Sequence, residues 1–167
     1  MSTRGAIVRF TEGQSFQGVY HHWDSYPEGL GQTLVSLYKE QFDGDLDKML
    51  ATLIDDHPGG WSTINGKDWS LAPGFNEYPN KGDQPECYCH GDRSEESQVI
   101  DHTNASSSGC EFVYAFAEGR MYVLSSYHED GSKAIGFFGC GDPDAQWFEI
   151  AKVALDNPGD WQSLLAD

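Results

Sequence analysis

The sequence predicts an α+β domain in which helices cover one face of a mostly antiparallel sheet of about five strands. Three observations support this prediction: extended apolar runs near both ends of the chain, two amphipathic stripes between them, and tight turns that join neighbouring strands. The predicted order is β-β-α-α, a long irregular segment, and then β-β-β-α. A length of 167 residues fits a single domain.

The N-terminal part predicts a β-hairpin followed by a helix. Residues 6–11 and 16–23 are rich in strand-forming side chains, and the residues between them supply a turn. The helix is predicted by four apolar residues that recur at helical spacing and runs to about residue 41 or 42. These residues are Leu30, Leu34, Leu37 and Tyr38.

A second helix follows, with Asp45 as its N-cap. The turn at residues 57–60 (His-Pro-Gly-Gly) marks its end. Apolar residues at positions i, i+3, i+4, i+7 and i+8 predict its buried face. They are Leu46, Met49, Leu50, Leu53 and Ile54.

Residues 58–109 predict an irregular excursion from the domain, because Gly, Pro, Asn, Asp and Ser recur there and no period persists. A structureless loop of this length is uncommon in a compact domain. We therefore expect short strands near residues 61–64 and 99–102. The alternative is an excursion held in place by its aromatic side chains and cysteines.

The C-terminal part predicts a three-stranded antiparallel meander at residues 111–117, 120–127 and 133–140, with a tight Glu118-Gly119 turn. Pro143 then suits the first position of a last helix, which residues 157–159 (Asn-Pro-Gly) end. The apolar face of this helix is predicted to consist of Trp147, Phe148, Ile150, Ala151, Ala154 and Leu155.

The charge of the chain excludes some functions. There are 27 acidic and 10 basic residues, which give a formal net charge of −17. A surface this negative repels nucleic acids and anionic membranes. No apolar run approaches the roughly 18 residues of a membrane-spanning helix, and the N-terminus lacks the pattern of a signal peptide, so we expect a cytoplasmic protein. The acids form either a solvated surface or one that imitates nucleic acid and binds a basic host or competitor protein.

Polar functional groups concentrate at residues 20–31, where the second strand leads into the first helix. Side chains of a regular strand alternate between its two faces. The alternation predicts that His21 and His22 do not act as a pair, and that His22 shares a face with Asp24. This couple is a candidate for proton transfer, with His22 as the general base and Asp24 as the group that orients it.

Other side chains complete this candidate site. Arg4 would stabilise an anionic group, and Tyr20, Trp23 and Tyr26 would contact a ligand. The alternative is that His22 and Asp24 only form hydrogen bonds to the loop that starts the helix.

The N-terminal quarter resembles a family of small uncharacterised proteins from bacteriophages, prophages and actinobacterial-type genomes. The resemblance rests on an Arg-Gly-x-Ile motif that begins at Arg4 and on a Tyr-x-His-Trp-Asp-Ser-Tyr-Pro-x-Gly-Leu-Gly motif that begins at Tyr20. It covers residues 4–40 and implies the setting of a mobile-element accessory protein, without naming a reaction. Because relatives often carry another polar residue at the position of His21, the resemblance favours His22, Asp24 and Tyr26 as functional groups.

The cysteines leave three possibilities open. Cys87, Cys89, His90 and Cys110 supply enough ligands for a tetrahedral zinc site, although C-x-C is not the spacing of a zinc knuckle. Unlinked thiols and no cofactor are the first expectation for a cytoplasmic chain. The third possibility is a disulfide that involves Cys110 or Cys140.

Two classes of function remain. The first is an accessory protein that binds a basic partner protein or a small ligand through its acidic and aromatic surface. The second is a small hydrolase or transferase that uses His22, Asp24 and Arg4, which must then converge on one site. The first is favoured because the sequence shows no convincing nucleophile or set of metal ligands.

Overall fold

A computed structural model of the chain describes residues 3–11, 16–22, 24–64, 86–87, 99–101, 105, 108–125, 137–138, 147–159 and 161. Its helices are α1 (Gln32–Glu40) and α2 (Leu46–Leu50). A π-helical turn, Pro27–Gly31, precedes α1, and a second one, Ala51–Asp55, continues α2. The strands are β1 (Gly5–Phe10), β2 (Phe16–His21), β3 (Trp61–Thr63), β4 (Glu86–Cys87), β5 (Ile100–Asp101), β6 (Phe112–Ala117), β7 (Arg120–Ser125), β8 (Phe137–Phe138) and β9 (Trp147–Ala154).

The described strands form one sheet in the order β4-β3-β2-β1-β6-β7-β9-β8, and β5 pairs with β2. The α+β class is consistent with this arrangement, but the prediction of a mostly antiparallel sheet is wrong, because the sheet is mixed. At its centre β1 pairs in parallel with β6, and β2 pairs in parallel with β3. Parallel neighbours need a long connection, which the hundred or so residues between β1 and β6 supply.

Both faces of the sheet are buried at its centre, along β1 and β6. We call the side that packs against the helices the helix face, and the opposite side the second face. Strand residues on the helix face include Ile7, Val19, Tyr114, Met121 and Val153. Those on the second face include Ala6, Val8, Phe16, Val113 and Leu124, which cluster with Ala105 and Cys110 from the segment before β6.

The predictions of the first two helices are confirmed. Leu34, Leu37 and Tyr38 of α1 are buried on the helix face. The Asp45 carboxylate caps α2 by accepting a hydrogen bond from the Lys48 backbone N–H at 3.0 Å. The predicted stripe of the second helix is buried from Met49 to Ile54, and Leu46 is half-buried at its edge.

The hairpin predictions are also confirmed. β1 pairs with β2 and β6 pairs with β7 in antiparallel register. Glu118 and Gly119 join β6 to β7 with φ angles of 51° and 75°. Two consecutive positive φ values are typical of the type I′ turn, whose twist matches that of the strands it joins.

The predicted C-terminal helix is wrong, because residues from Trp147 to Ala154 form β9. The register of β9 against β7 shifts so that Glu149 pairs with Leu124 and Ala151 pairs with Val123, which leaves Ile150 as an extra residue. A β-bulge of this kind changes the phase of side-chain alternation. Apolar residues on both sides of the bulge therefore imitate helical spacing.

The predicted three-stranded meander is wrong in its third strand, because the strand beside β7 is β9. The predicted run 133–140 contains β8, which pairs with β9. In the predicted excursion, the structure contains β3 and β5 where short strands were expected, and β4 as well. The other residues of 65–98 and the start of the predicted last helix lie outside the described residues. No helix in the described part of the chain is long and apolar enough to cross a membrane.

Candidate functional site

His21 ends β2 and is completely buried. Its Nε2 accepts a hydrogen bond from the Ile64 backbone N–H at 3.1 Å, and its Nδ1 lies 2.8 Å from Ser25 Oγ. Because Nε2 is an acceptor, the proton of the neutral ring is on Nδ1 and points at Ser25. The Ser25 hydroxyl in turn donates to the His21 carbonyl at 3.2 Å. Both ring nitrogens and the hydroxyl are thus satisfied.

Ser25 holds the loop between β2 and α1 in place. Its backbone N–H donates to the Thr3 carbonyl at 2.8 Å, and its own carbonyl accepts a hydrogen bond from the Tyr114 hydroxyl. The backbone of Gly5 approaches so closely that a Cβ there would lie 2.6 Å from Ser25 Cβ. Burial raises the pKa of Tyr114 well above its ordinary value, so this hydroxyl stays a donor.

Ser25 and His21 do not form a nucleophile and its general base. A serine nucleophile needs an unprotonated ring nitrogen that takes its proton, whereas Nδ1 of His21 carries a proton of its own. Burial, aided by the charge of His22, lowers the pKa of His21 to about 3. The arrangement keeps a neutral imidazole in the interior and fixes the chain around it.

His22 points to the second face of the sheet and is half-buried. Its Nδ1 lies 2.8 Å from the Tyr20 hydroxyl, and the two rings are 5.9 Å apart at 47°. Tyr20 packs against the cluster of the second face, so its ring is anchored. The two histidines therefore face opposite sides, as the alternation predicted, and Tyr20 contacts the predicted general base.

Asp24 and Tyr26 lie at the start of the helical segment. Asp24 is half-buried, and its carbonyl accepts a hydrogen bond from the Leu30 N–H at 3.2 Å. Tyr26 is 40% exposed. Trp23 lies outside the described residues. A role of Asp24 in orienting His22, and of Trp23 and Tyr26 in ligand contact, stays a prediction.

The register of β1 and β2 places Arg4 beside His22. Gly5 pairs with His21, so Arg4 lies across from His22 at the ends of the two strands. The Arg4 carbonyl accepts a hydrogen bond from the Glu111 N–H at 2.7 Å. Its exposed side chain lies along Gly109, where a Cβ would come within 2.9 Å of Arg4 Nη1. Arg4, Tyr20 and His22 therefore share the second face.

The predicted zinc ligands are only partly described. Cys110 is buried on the second face with a free thiol, and burial raises its pKa to about 12, so the thiol is protonated at neutral pH. The side chain of Cys87, and Cys89, His90 and Cys140 as a whole, lie outside the described residues. Among the side chains that the structure describes, no three His, Cys, Asp or Glu residues are placed to hold a metal ion.

Acidic side chains lie in two groups, one near Tyr38 of α1 and one near Arg9 of β1. The Tyr38 hydroxyl donates to Asp156 Oδ1 at 2.7 Å. This hydrogen bond raises the pKa of Tyr38, as do burial and the charges of Asp156 and Asp45. Likewise, the hydrogen bond to Asp55 raises the pKa of Arg9, and the charge of Asp47 acts in the same direction. We call the exposed residues Asp43, Asp45, Asp47, Asp55 and Asp156 the acidic helix surface.

Sequence reasoning missed several of these relationships. The i, i+2 spacing of Tyr20 and His22 was a usable signal, because it is the same spacing that suggested Asp24. Ser25, Tyr114 and Asp156 gave no such signal, since their partners are remote in sequence or depend on the loop conformation.

Comparison of the chain with protein-family models, curated proteins and solved structures finds no match.

Proposed function

We propose that this protein is an accessory protein that acts by binding a basic partner protein through the acidic helix surface. The observation that supports this proposal is the exposure of five aspartates in and beside the helical segments, with Asp45 and Asp156 near Tyr38 and with Asp47 and Asp55 near Arg9. Such a surface steers a positively charged partner and speeds its association. The mobile-element setting is part of the proposal and rests on the resemblance of residues 4–40.

Three acids of this surface can be neutralised with little structural cost. Asp43 has a φ of 50°, a conformation that asparagine tolerates well. In Asp156→Asn the side-chain oxygen that accepts from Tyr38 is kept. Asp47 is exposed in the first turn of α2. Asp45 and Asp55 are left intact, because one caps α2 and the other pairs with Arg9.

The test uses the immobilised full chain and a bacterial lysate, with bound proteins identified by mass spectrometry and their affinity then measured by calorimetry. We expect capture of a basic protein that the D43N/D47N/D156N variant loses. A control variant removes the same charge from exposed positions elsewhere, Glu28, Glu111 and Glu118, by Glu→Gln substitutions, and should retain capture. Equal affinity of the two variants, or binding unchanged at about 0.5 M salt, would refute the proposal.

A second candidate is a small hydrolase or transferase in which His22 is the general base and Asp24 orients it. The placement of His22 and Arg4 on one face favours this candidate, because a base and an anion-stabilising group then lie on adjacent strand ends. Its test is turnover of a panel of ester and phosphoester substrates. Activity must disappear in His22→Gln, and turnover unchanged in that variant would exclude the assignment.

A further inference from the structure

We propose that His21 is an acid-sensitive latch that holds the β3–β4 edge of the sheet against β2. Addition of a proton to its buried imidazole releases this edge, and the centre of the sheet, formed by β1, β6 and β7, stays paired. The latch uses neither the His22 side chain nor the acidic helix surface. It can therefore hold or fail independently of both candidate functions.

The first observation is that few backbone contacts hold β3 to β2. The two strands share a single residue pair, His21 with Trp61, whereas β1 and β2 share six. The His22 N–H adds one hydrogen bond to the Trp61 carbonyl at 3.1 Å. Among the described strands, β4 pairs with β3 alone, so β4 depends on the same attachment. This edge is therefore a part of the sheet that a local change can release.

The His21 side chain supplies the next hydrogen bond along this edge. Its Nε2 accepts from the backbone N–H of Ile64, three residues beyond Trp61, at 3.1 Å. Ile64 is completely buried and belongs to the core of the helix face. The imidazole thus takes the place of a strand carbonyl where β3 ends, and it fixes the chain as it leaves the sheet.

This hydrogen bond requires a neutral ring. In that form the Nδ1–H faces Ser25 Oγ, and Nε2 has the lone pair that the Ile64 N–H needs. An added proton would occupy Nε2 and face the Ile64 N–H, so that two donors would meet without an acceptor. The proton therefore removes an attraction between β2 and β3 and leaves a buried backbone donor unsatisfied.

Among the described residues, no element packed against the ring brings a compensating charge. On β1 the residue paired with His21 is Gly5, which has no side chain. From the loop and β6 come the hydroxyls of Ser25 and Tyr114, which stay protonated. From β3 comes the uncharged indole of Trp61. A charged ring therefore needs water, which reaches it when β3 moves away.

The histidines near this edge oppose protonation of the ring as well. The charge of His22 adds to burial in lowering the pKa of His21 to about 3. His57, whose ring lies 4.6 Å from that of Trp61, would also repel a charged ring if it were protonated. In the open state His21 regains its ordinary pKa near 6.5. Below that value, each unit of pH favours the open state about tenfold.

The experiment measures amide hydrogen exchange in the full chain by NMR between pH 7 and pH 5. After correction for the intrinsic exchange rate, the opening constant at the Ile64 N–H should rise about 25-fold over this range. At pH 5 the protected amides of β6 should open at least about tenfold more rarely than Ile64, because their exchange requires the whole sheet to unfold.

Two variants identify the group that takes up the proton. His21→Gln keeps one donor and one acceptor on the side chain but does not titrate, so the rise at Ile64 should shrink to within about twofold. The matched control is His57→Gln, which removes the other buried histidine near Trp61 and should leave the rise unchanged.

Three results would overturn the proposal. In the native chain, Ile64 exchange could follow the intrinsic rate alone, or Ile64 could open only together with the central strands. In the variants, His57→Gln rather than His21→Gln could abolish the rise. The first two results are obtained with the native protein, so the test does not depend on the folding of either variant.

Discussion

Ser25 Oγ lies 2.8 Å from Nδ1 of His21, and both side chains are completely buried at the point where β2 turns towards the helices. The pair has the residue types of a hydrolytic dyad, but its proton lies on the wrong nitrogen for that chemistry. Its effect is structural: it ties the end of β2 to the loop and, through Thr3 and Tyr114, to the strands beside it.

Ser25→Ala should destabilise the protein by about 1–3 kcal/mol, because the buried Nδ1–H of His21 would lose its acceptor. Urea unfolding of the two proteins measures the difference. Ser36→Ala is a suitable control, since Ser36 is half-buried on α1 and accepts only a long 3.4 Å hydrogen bond from Gln32. A Ser25→Ala variant as stable as the native chain would contradict the proposed hydrogen-bond network.

Acidification should weaken the fold well before His21 becomes charged in the native state. The pKa of His21 is lowered to about 3 by burial, whereas the unfolded chain binds the proton near pH 6.5. The stabilising contribution is complete above pH 6.5 and is lost progressively as the pH falls towards 3. Between pH 7 and 5 this group alone should remove about 2 kcal/mol from the free energy of unfolding.

Urea unfolding at several pH values measures that loss, and the NMR signal of the His21 ring provides an independent check in the folded protein. We expect the ring signal to stay constant from pH 7.5 to 4.5. If His21 titrates in the folded protein with a midpoint near 6.5, the prediction is wrong.

Gly5→Ala should cost more stability than Gly119→Ala. A methyl group at position 5 would lie 2.6 Å from Ser25 Cβ and 2.8 Å from the Phe112 carbonyl, so the sheet and the loop would have to separate. We expect a loss of roughly 2–3 kcal/mol. At position 119 there is open space and only a positive φ of 75°, which costs an alanine about 1 kcal/mol. Thermal or urea unfolding of both variants ranks them, and the reverse order would contradict the close approach.

The Arg9 and Asp55 side chains should show a coupling energy of about 0.5–1 kcal/mol in a double-mutant cycle with alanine. Their two hydrogen bonds link β1 to the end of the α2 segment, but both side chains are partly exposed to solvent. The coupling should decrease as salt increases, because exposed charges are screened. A coupling of the same size at about 1 M salt would show that the interaction is not mainly electrostatic.

The sequence permits prediction of those elements whose signal is local. The second helix was predictable because Met49, Leu53 and the Asp45 cap form a pattern within one segment. β9 was not, since the extra residue Ile150 shifts the alternation and gives the strand an apparent helical period. The parallel pairing of β1 with β6 was also hidden, because no local pattern encodes which distant strands meet.

The candidate site shows the same division. Alternation along β2 correctly separated His21 from His22 and placed His22 beside side chains two residues away. Alternation alone did not single out Tyr20, whose hydroxyl lies 2.8 Å from His22 Nδ1, because Tyr20 and Asp24 are both two residues from His22. The closeness of Arg4 to His22 follows from the hairpin register, which could have been anticipated once the turn between β1 and β2 was placed.

The central position of β1 also has a consequence for how the chain folds during synthesis. One edge of β1 pairs with β2, which follows it almost immediately. The other edge pairs with β6, which is synthesised more than a hundred residues later. At ribosomal speeds of about 5–20 residues per second, that side stays open for roughly 5–20 seconds. The nascent N-terminal half therefore exposes an apolar strand edge, of the kind that chaperones bind and that pairs with other chains, until β6 has emerged.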